Sequence, residues 1–142
     1  VEVGRACIAK KHRNGRVLFL LWKGLALYLQ HHQARYFFGC CSLTSQDAEE
    51  GLMMYEHLKE NQLMHPDILI PAQPGFECAL PEGRLRVFPD VSMPRLMKIY
   101  LQYKATICSE PAIDRVFKTI DFLTLMDTHT MEASLRKELF GS

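Results

Sequence analysis

The first 43 residues constrain this chain most. A strand-like run, Val1-Glu2-Val3-Gly4-Arg5-Ala6-Cys7-Ile8-Ala9, leads into a basic turn, Lys10-Lys11-His12-Arg13-Asn14-Gly15-Arg16. An apolar helix pattern follows over residues 17–32, then a second strand, Arg35-Tyr36-Phe37-Phe38-Gly39-Cys40-Cys41-Ser42-Leu43. Two strands joined by a helix pair in parallel as a right-handed crossover, which places the turn at one end of a sheet. A helix N-terminus has free N–H groups and a positive dipole end, so a glycine-containing, cationic turn feeding one is suited to phosphate. Lys11, His12, Arg13, Asn14, Gly15 and Arg16 are therefore the candidate phosphate-holding residues, mainly through backbone N–H groups, with Arg13 the leading side chain.

In the first strand Val1, Val3 and Cys7 largely alternate with Glu2 and Arg5, and Gly4 marks a bulge or the close approach of another backbone. In the helix, Leu18, Leu21, Trp22, Leu25 and Leu29 recur at helical spacing, and Leu20 and Ala26 widen the stripe, so the helix is expected to be mostly buried. His31 and His32 read as a helix end rather than a metal pair, since adjacent residues face different ways. The second strand is nearly continuous in apolar residues, as expected of a central strand covered on both sides.

Further along, Thr44 or Ser45 is expected to cap a helix over residues 46–61 carrying Leu52, Met53, Tyr55 and Leu58. Residues 64–92 contain five of the seven prolines and no sustained period, which makes them a long loop or lid. Its Ile68-Leu69-Ile70-Pro71 stretch is apolar enough to cover a hydrophobic pocket. Ser92 is expected to cap the next helix, with Pro94 in its first turn and Leu96, Met97, Tyr100 and Leu101 on its apolar face. A short strand at 105–108, a turn at Glu110-Pro111, a strand at 118–126 and a short charged helix opened by Thr130 complete the chain. The order strand, helix, strand, helix, loop, helix, strand, strand is a mixed α/β arrangement in one domain over residues 1–142.

A net charge of +1 gives no global argument for nucleic acid or an anionic membrane. The helix at 17–32 is apolar enough for peripheral membrane contact, but core packing accounts for it, and no apolar run reaches the length of a membrane span. Five cysteines, Cys7, Cys40, Cys41, Cys78 and Cys108, are an odd number without C-x-x-C spacing. They fit a reducing, cytoplasmic setting better than a disulfide framework or a metal site. A chain beginning on Val1, already within a strand pattern, reads as cut from something longer or started at a non-ATG codon.

In its order of blocks the chain resembles the second half of the GNAT acyltransferase fold. The match is closest to the branch that takes acyl chains from acyl carrier protein: ornithine- and glycine-lipid N-acyltransferases (often labelled hemolysin-like), N-acyl amino acid synthases and acyl-homoserine-lactone synthases. The blocks are Glu2-Val3-Gly4-Arg5-Ala6-Cys7-Ile8, His12-Arg13-Asn14-Gly15, Leu20-Leu21-Trp22-Lys23-Gly24-Leu25, Phe38-Gly39-Cys40-Cys41-Ser42, Pro94-Arg95-Leu96-Met97-Lys98-Ile99-Tyr100-Leu101, and Pro111-Ala112-Ile113-Asp114 with Thr119-Ile120-Asp121-Phe122. The resemblance implies a GNAT-like mixed sheet with flanking helices, lacking the family's N-terminal strands and helices; a second copy of the chain or the missing half would complete it. Where the family's phosphate loop has two small residues after its Arg or Gln, this chain has Gly15 followed by Arg16 and Val17, which favours a carrier-protein phosphopantetheine over coenzyme A.

The implied activity is transfer of a fatty acyl group from the acyl-phosphopantetheine of acyl carrier protein, or from acyl-CoA, to the amine of an amino acid, without a metal. An acyl-homoserine-lactone-type synthase is the near alternative, against which the Trp22-Lys23-Gly24 helix weighs; a non-catalytic remnant that binds a protein partner is the alternative of another class. By the resemblance Glu2 would deprotonate the amine. Arg5 would orient a carboxylate or brace Glu2, forming one site if both point to the same side. Gly39 and Cys40 lie where splayed strands would admit the thioester arm. Asp114 and Asp121 fall in the matching blocks as structural or flanking residues, and the seven methionines suit an adaptable pocket.

Overall fold

The computed structural model describes residues 1–81 and 92–141. Its helices are α1 (Gly15–His31), α2 (Ala48–Glu60), α3 (Arg95–Gln102) and α4 (Ala133–Phe140), and its strands are β1 (Tyr36–Leu43), β2 (Thr106–Ile107), β3 (Ala112–Asp114) and β4 (Thr119–Asp127). The strands form one antiparallel sheet with β4 in its middle: β1 runs along one side from Tyr36↔Asp127 to Leu43↔Ile120, and β2 and β3 pair with the other. The fold is thus mixed α/β, as the order of elements implied.

Period-two patterning explains why β4 is the keel. Ile120, Phe122, Thr124 and Met126 are buried, and the residues between them are half-buried. Against that face Met54 and Leu58 of α2 and Met97 of α3 pack on Cys41, Leu43, Ile120 and Phe122. Ala26 of α1 and Leu135 and Leu139 of α4 pack on Met126 at the other end of the sheet. Cys41, Cys78 and Cys108 are buried and free, and burial pushes the Cys78 thiol up to about 11. Such thiols serve as small apolar side chains.

Several expectations are corrected. Only residues 1–3 of the expected first strand pair with β1, in parallel at Glu2↔Phe38. Arg5, not Gly4, adopts the left-handed conformation that turns the chain away (φ 55°). The second strand is not covered on both faces, since Tyr36, Phe38, Cys40 and Ser42 are exposed while Cys41 and Leu43 are buried. The helix at α1 buries only Ala26 and Leu29. Asp47 caps α2 by accepting from the Glu49 amide, because Ser45 instead accepts from the Asp47 amide. Pro94 is the N-cap of α3, with no capping by Ser92, and Glu132 rather than Thr130 caps α4. Part of the proline-rich stretch runs along the sheet through bridges at Met64↔Ile107, Ile70↔Ser109 and Glu77↔Ala112; its residues 82–91, with Pro89, lie outside the described residues. Ile68, Leu69 and Ile70 are exposed, and none of them lines the apolar cleft between α1 and the sheet. β3 is a strand not expected between the turn at Glu110-Pro111 and the strand at 118–126, and Asp114 at its end accepts from the Val116 and Phe117 amides to close the hairpin into β4.

At the α1–β1 junction Arg35 donates to both carboxylate oxygens of Asp127, at 2.9 and 2.6 Å, and Asp127 also accepts from the His129 amide. The Arg35 hydrogen bond, foremost, holds the Asp127 carboxyl below its usual range. A carboxylate with a lowered folded-state pKa stabilises above the ordinary carboxylate range, and that stability is lost as pH falls through the folded value. Asp127→Asn is therefore expected to cost about 1 kcal/mol at neutral pH. In urea melts the gap from the parent should close in acid.

Candidate active site

The site grows from the end of a short ladder. The Phe38 amide donates to the Val1 carbonyl at 3.0 Å, and the Val3 amide donates to the Phe38 carbonyl at 2.7 Å. Pairing with the N-terminal segment stops there. A Cβ at Gly39 would overlap the Val3 carbonyl oxygen, so the close approach expected at Gly4 occurs at Gly39. Backbone groups alternate sides along a strand, so the Cys40 N–H points outward like that of Phe38. It has no partner among the described residues. The N-terminal segment and β1 thus part in a V whose inner edge is Gly39 to Cys41.

Behind the V lies an apolar cleft of about 560 Å³ between α1 and the sheet. One stripe of α1, with Leu18, Leu21, Trp22, Leu25 and Leu29, forms its roof. Phe37, Gly39, Cys41, Thr124 and Met126 form its floor, and Leu135 and Leu139 of α4 line it where α1 ends. Trp22 stacks near Tyr100 and Tyr103, at ring-centre distances of 5.7 and 5.5 Å, making an aromatic wall. Val3, Cys7, Ile8 and Arg13 complete its lining on the side of the N-terminal segment.

The cationic turn divides by role. Arg13 lines the cleft, and its Nε donates to the Ile8 carbonyl at 2.9 Å, which fixes the side chain there. Asn14 is the N-cap of α1, its Oδ1 accepting from the Val17 amide at 3.0 Å, so its side chain is committed to the helix. The Gly15 and Arg16 amides have no partner among the described residues, and both residues are exposed. Lys11 and His12 sit in an exposed 3-10 turn and do not line the cleft.

Glu2 and Arg5 are exposed, and no ion pair joins them among the described residues. Val3 lines the cleft and Glu2 does not, so the two occupy opposite sides of the V. The Cys40 thiol is pushed up, mostly by burial, then by the charges of Asp121, Glu2 and Asp114. Asp121 Oδ1 is buried without a hydrogen-bond partner among the described residues. Burial also raises the Cys41 thiol. Neither cysteine has the lowered pKa of a nucleophile. No cluster of three or more metal-binding side chains occurs among the described residues.

Sequence reasoning did not find the α4 wall, although Leu135 and Leu139 stand four apart, which is the signal for one helix face. Nor did it find that Tyr103 joins Tyr100 against Trp22, since that contact depends on how α1 crosses α3.

No family model matches this chain, and no solved structure matches it. The L-ornithine N(alpha)-acyltransferase of Rhodobacter capsulatus is 30% identical over 140 residues, covering 96% of this chain and 54% of that protein. The proteins of that name from Brucella abortus (28% over 133 residues) and Rhizobium meliloti (26% over 130 residues) each cover 89% of this chain, and 46% and 44% of their own lengths. The chain spans about half the length of the curated relatives it matches, and over nearly all of its own length it is similar to proteins named L-ornithine N(alpha)-acyltransferase.

Proposed function

We propose that this chain carries the thioester-binding part of an N-acyltransferase that moves a fatty acyl group onto the amine of an amino acid. The observation that carries the reading is the apolar cleft opening on the V at Gly39, where a strand edge offers a free N–H. The name shared by the relatives supports an amino acid acceptor of the ornithine type. On this reading the acyl chain lies in the cleft and the thioester carbonyl sits at the V, accepting from the Cys40 N–H. The phosphate of the pantetheine arm lies over Arg13 and the Gly15 and Arg16 amides. Acyl carrier protein is the donor we favour over coenzyme A, because Arg16 and Val17 leave the turn less room than two small residues would.

The amine approaches from the opposite side of the V, where Glu2 is exposed beside Phe38 and Asp121, in register with Ser42, has a carboxylate oxygen without a partner among the described residues; the negative charge there suits a cationic amino acid. Its nitrogen lone pair attacks the thioester carbonyl as Glu2 takes the proton. The C–N bond forms, the tetrahedral oxyanion is held by the strand N–H, the C–S bond breaks, and the thiol leaves with a proton. No covalent acyl-cysteine is needed.

The test is a mass-spectrometric transfer assay with long-chain acyl carrier protein or acyl-CoA and a panel of amino acids. An N-acyl amino acid product identifies both acceptor and donor; absence of product with every donor defeats the reading for this chain. Within it, Glu2→Gln is expected to lower kcat about a hundredfold with little change in KM. Cys40→Ser should stay within a fewfold of the parent, and loss of turnover there would instead indicate a covalent route.

A further inference from the structure

Of the chain's 17 Lys and Arg, seven fall between residues 3 and 46, a stretch without a single Asp or Glu. The rest of the chain holds all 16 acidic residues against ten basic ones. The same basic stretch contains α1, whose inner stripe lines the cleft. Its outer stripe is Arg16, Leu20, Lys23, Leu27 and His31, at steps of four and three residues, and each of these is exposed. Leu20 is 57% exposed, Leu27 65% and the neighbouring Tyr28 52%. Lys10 and Lys11, also exposed, extend the charge beyond the N-terminus of the helix. Neither Arg16 nor Lys23 enters an ion pair among the described residues.

We infer that this outer face of α1 docks on an anionic lipid surface. Large leucines interleaved with cations along one exposed stripe satisfy both demands of a bilayer interface: apolar side chains reach the acyl boundary while Lys and Arg meet the headgroup charge. A purely acidic protein partner would use the cations but would leave Leu20 and Leu27 without an apolar counterpart. No helix among the described residues is long and apolar enough to cross a membrane, so this contact is made by lying on the surface. Docking places the roof of the cleft against lipid, a useful arrangement for an acyl product, but the inference stands on the face itself and not on acyl transfer.

The experiment is flotation of the chain with vesicles of equal parts phosphatidylglycerol and phosphatidylcholine, compared with pure phosphatidylcholine, without any acyl donor. Binding is expected to be at least tenfold stronger on the anionic vesicles. Leu27→Glu and Lys23→Glu should each weaken it about tenfold or more. Both positions are exposed, so circular dichroism and the urea midpoint should match the parent. Excess soluble polyglutamate should reduce the binding without abolishing it. No flotation, Leu27→Glu binding like the parent, or complete displacement by polyglutamate would each overturn the inference, the last two in favour of a soluble acidic partner.

Discussion

Gly39→Ala is expected to reduce acyl transfer about a thousandfold while leaving most of the fold intact. The single added methyl meets the Val3 carbonyl, which is backbone and has no rotamer to escape into. The N-terminal segment must therefore move off β1, and the bonds from the Phe38 amide to Val1 and from the Val3 amide to Phe38 are strained or lost. Those bonds are few and lie at a sheet edge, so the stability cost is about 1–2 kcal/mol. The catalytic cost is larger, because the same displacement closes or skews the V. Loss of one preorganised oxyanion donor is worth about 10²–10³ in kcat, and mispositioning of reacting groups by about 1 Å costs on the order of 10². Activity assays beside urea melts separate the two effects. Parent-like turnover in Gly39→Ala would show that the thioester does not lie at this edge.

How much of this was legible before folding depended on whether the signal was local. α1, β1 and β4 were readable within a residue or two, because Leu18, Leu25 and Leu29 keep a helical period and Ile120 and Phe122 keep a strand period. The first strand was overread. Residues 1–9 have strand composition, yet a strand exists only where a partner edge lies opposite, and Arg5 turns the chain after three residues. Gly39 is singled out in the sequence as room for a thioester arm, but the group that takes the place of its side chain is the Val3 carbonyl, 36 positions away, which nothing in its own neighbourhood announces.

α1 shows the limit of hydropathy most clearly. Its apolar residues encircle the helix, and the natural reading of such a helix is burial. Hydropathy reports the absence of polar groups and not what covers the apolar ones: Leu29 meets protein, Leu25 meets a cleft, and Leu27 meets solvent. The cationic turn split for a similar reason. Arg13, Asn14 and Gly15 are adjacent, but one lines the cleft, one caps the helix and one exposes its amide, a division fixed by where the turn enters α1.

Leu25→Trp is expected to separate stability from long-chain activity, because the residue faces open space and not packed core. Leu25 is half-buried on the cleft side of α1, one turn from Trp22 and one from Leu29. In a close-packed interior a larger side chain is destabilising by about 1–3 kcal/mol, but a cleft of about 560 Å³ can receive an indole without such strain. The added apolar contact should leave the urea midpoint unchanged or raise it. The indole would occupy the middle of the cleft and shorten the reach available to an acyl chain. Each methylene denied burial forfeits ~0.8 kcal/mol, so excluding about five costs ~4 kcal/mol, close to a thousandfold in kcat/KM for a long chain. A short acyl donor, which never reaches Leu25, should be transferred at nearly the parent rate. Competition between long and short acyl donors in one tube reads this directly as a switch in product length. Equal losses for both lengths would place the acyl chain elsewhere, and an unchanged preference for long chains would show that the cleft is not where they bind.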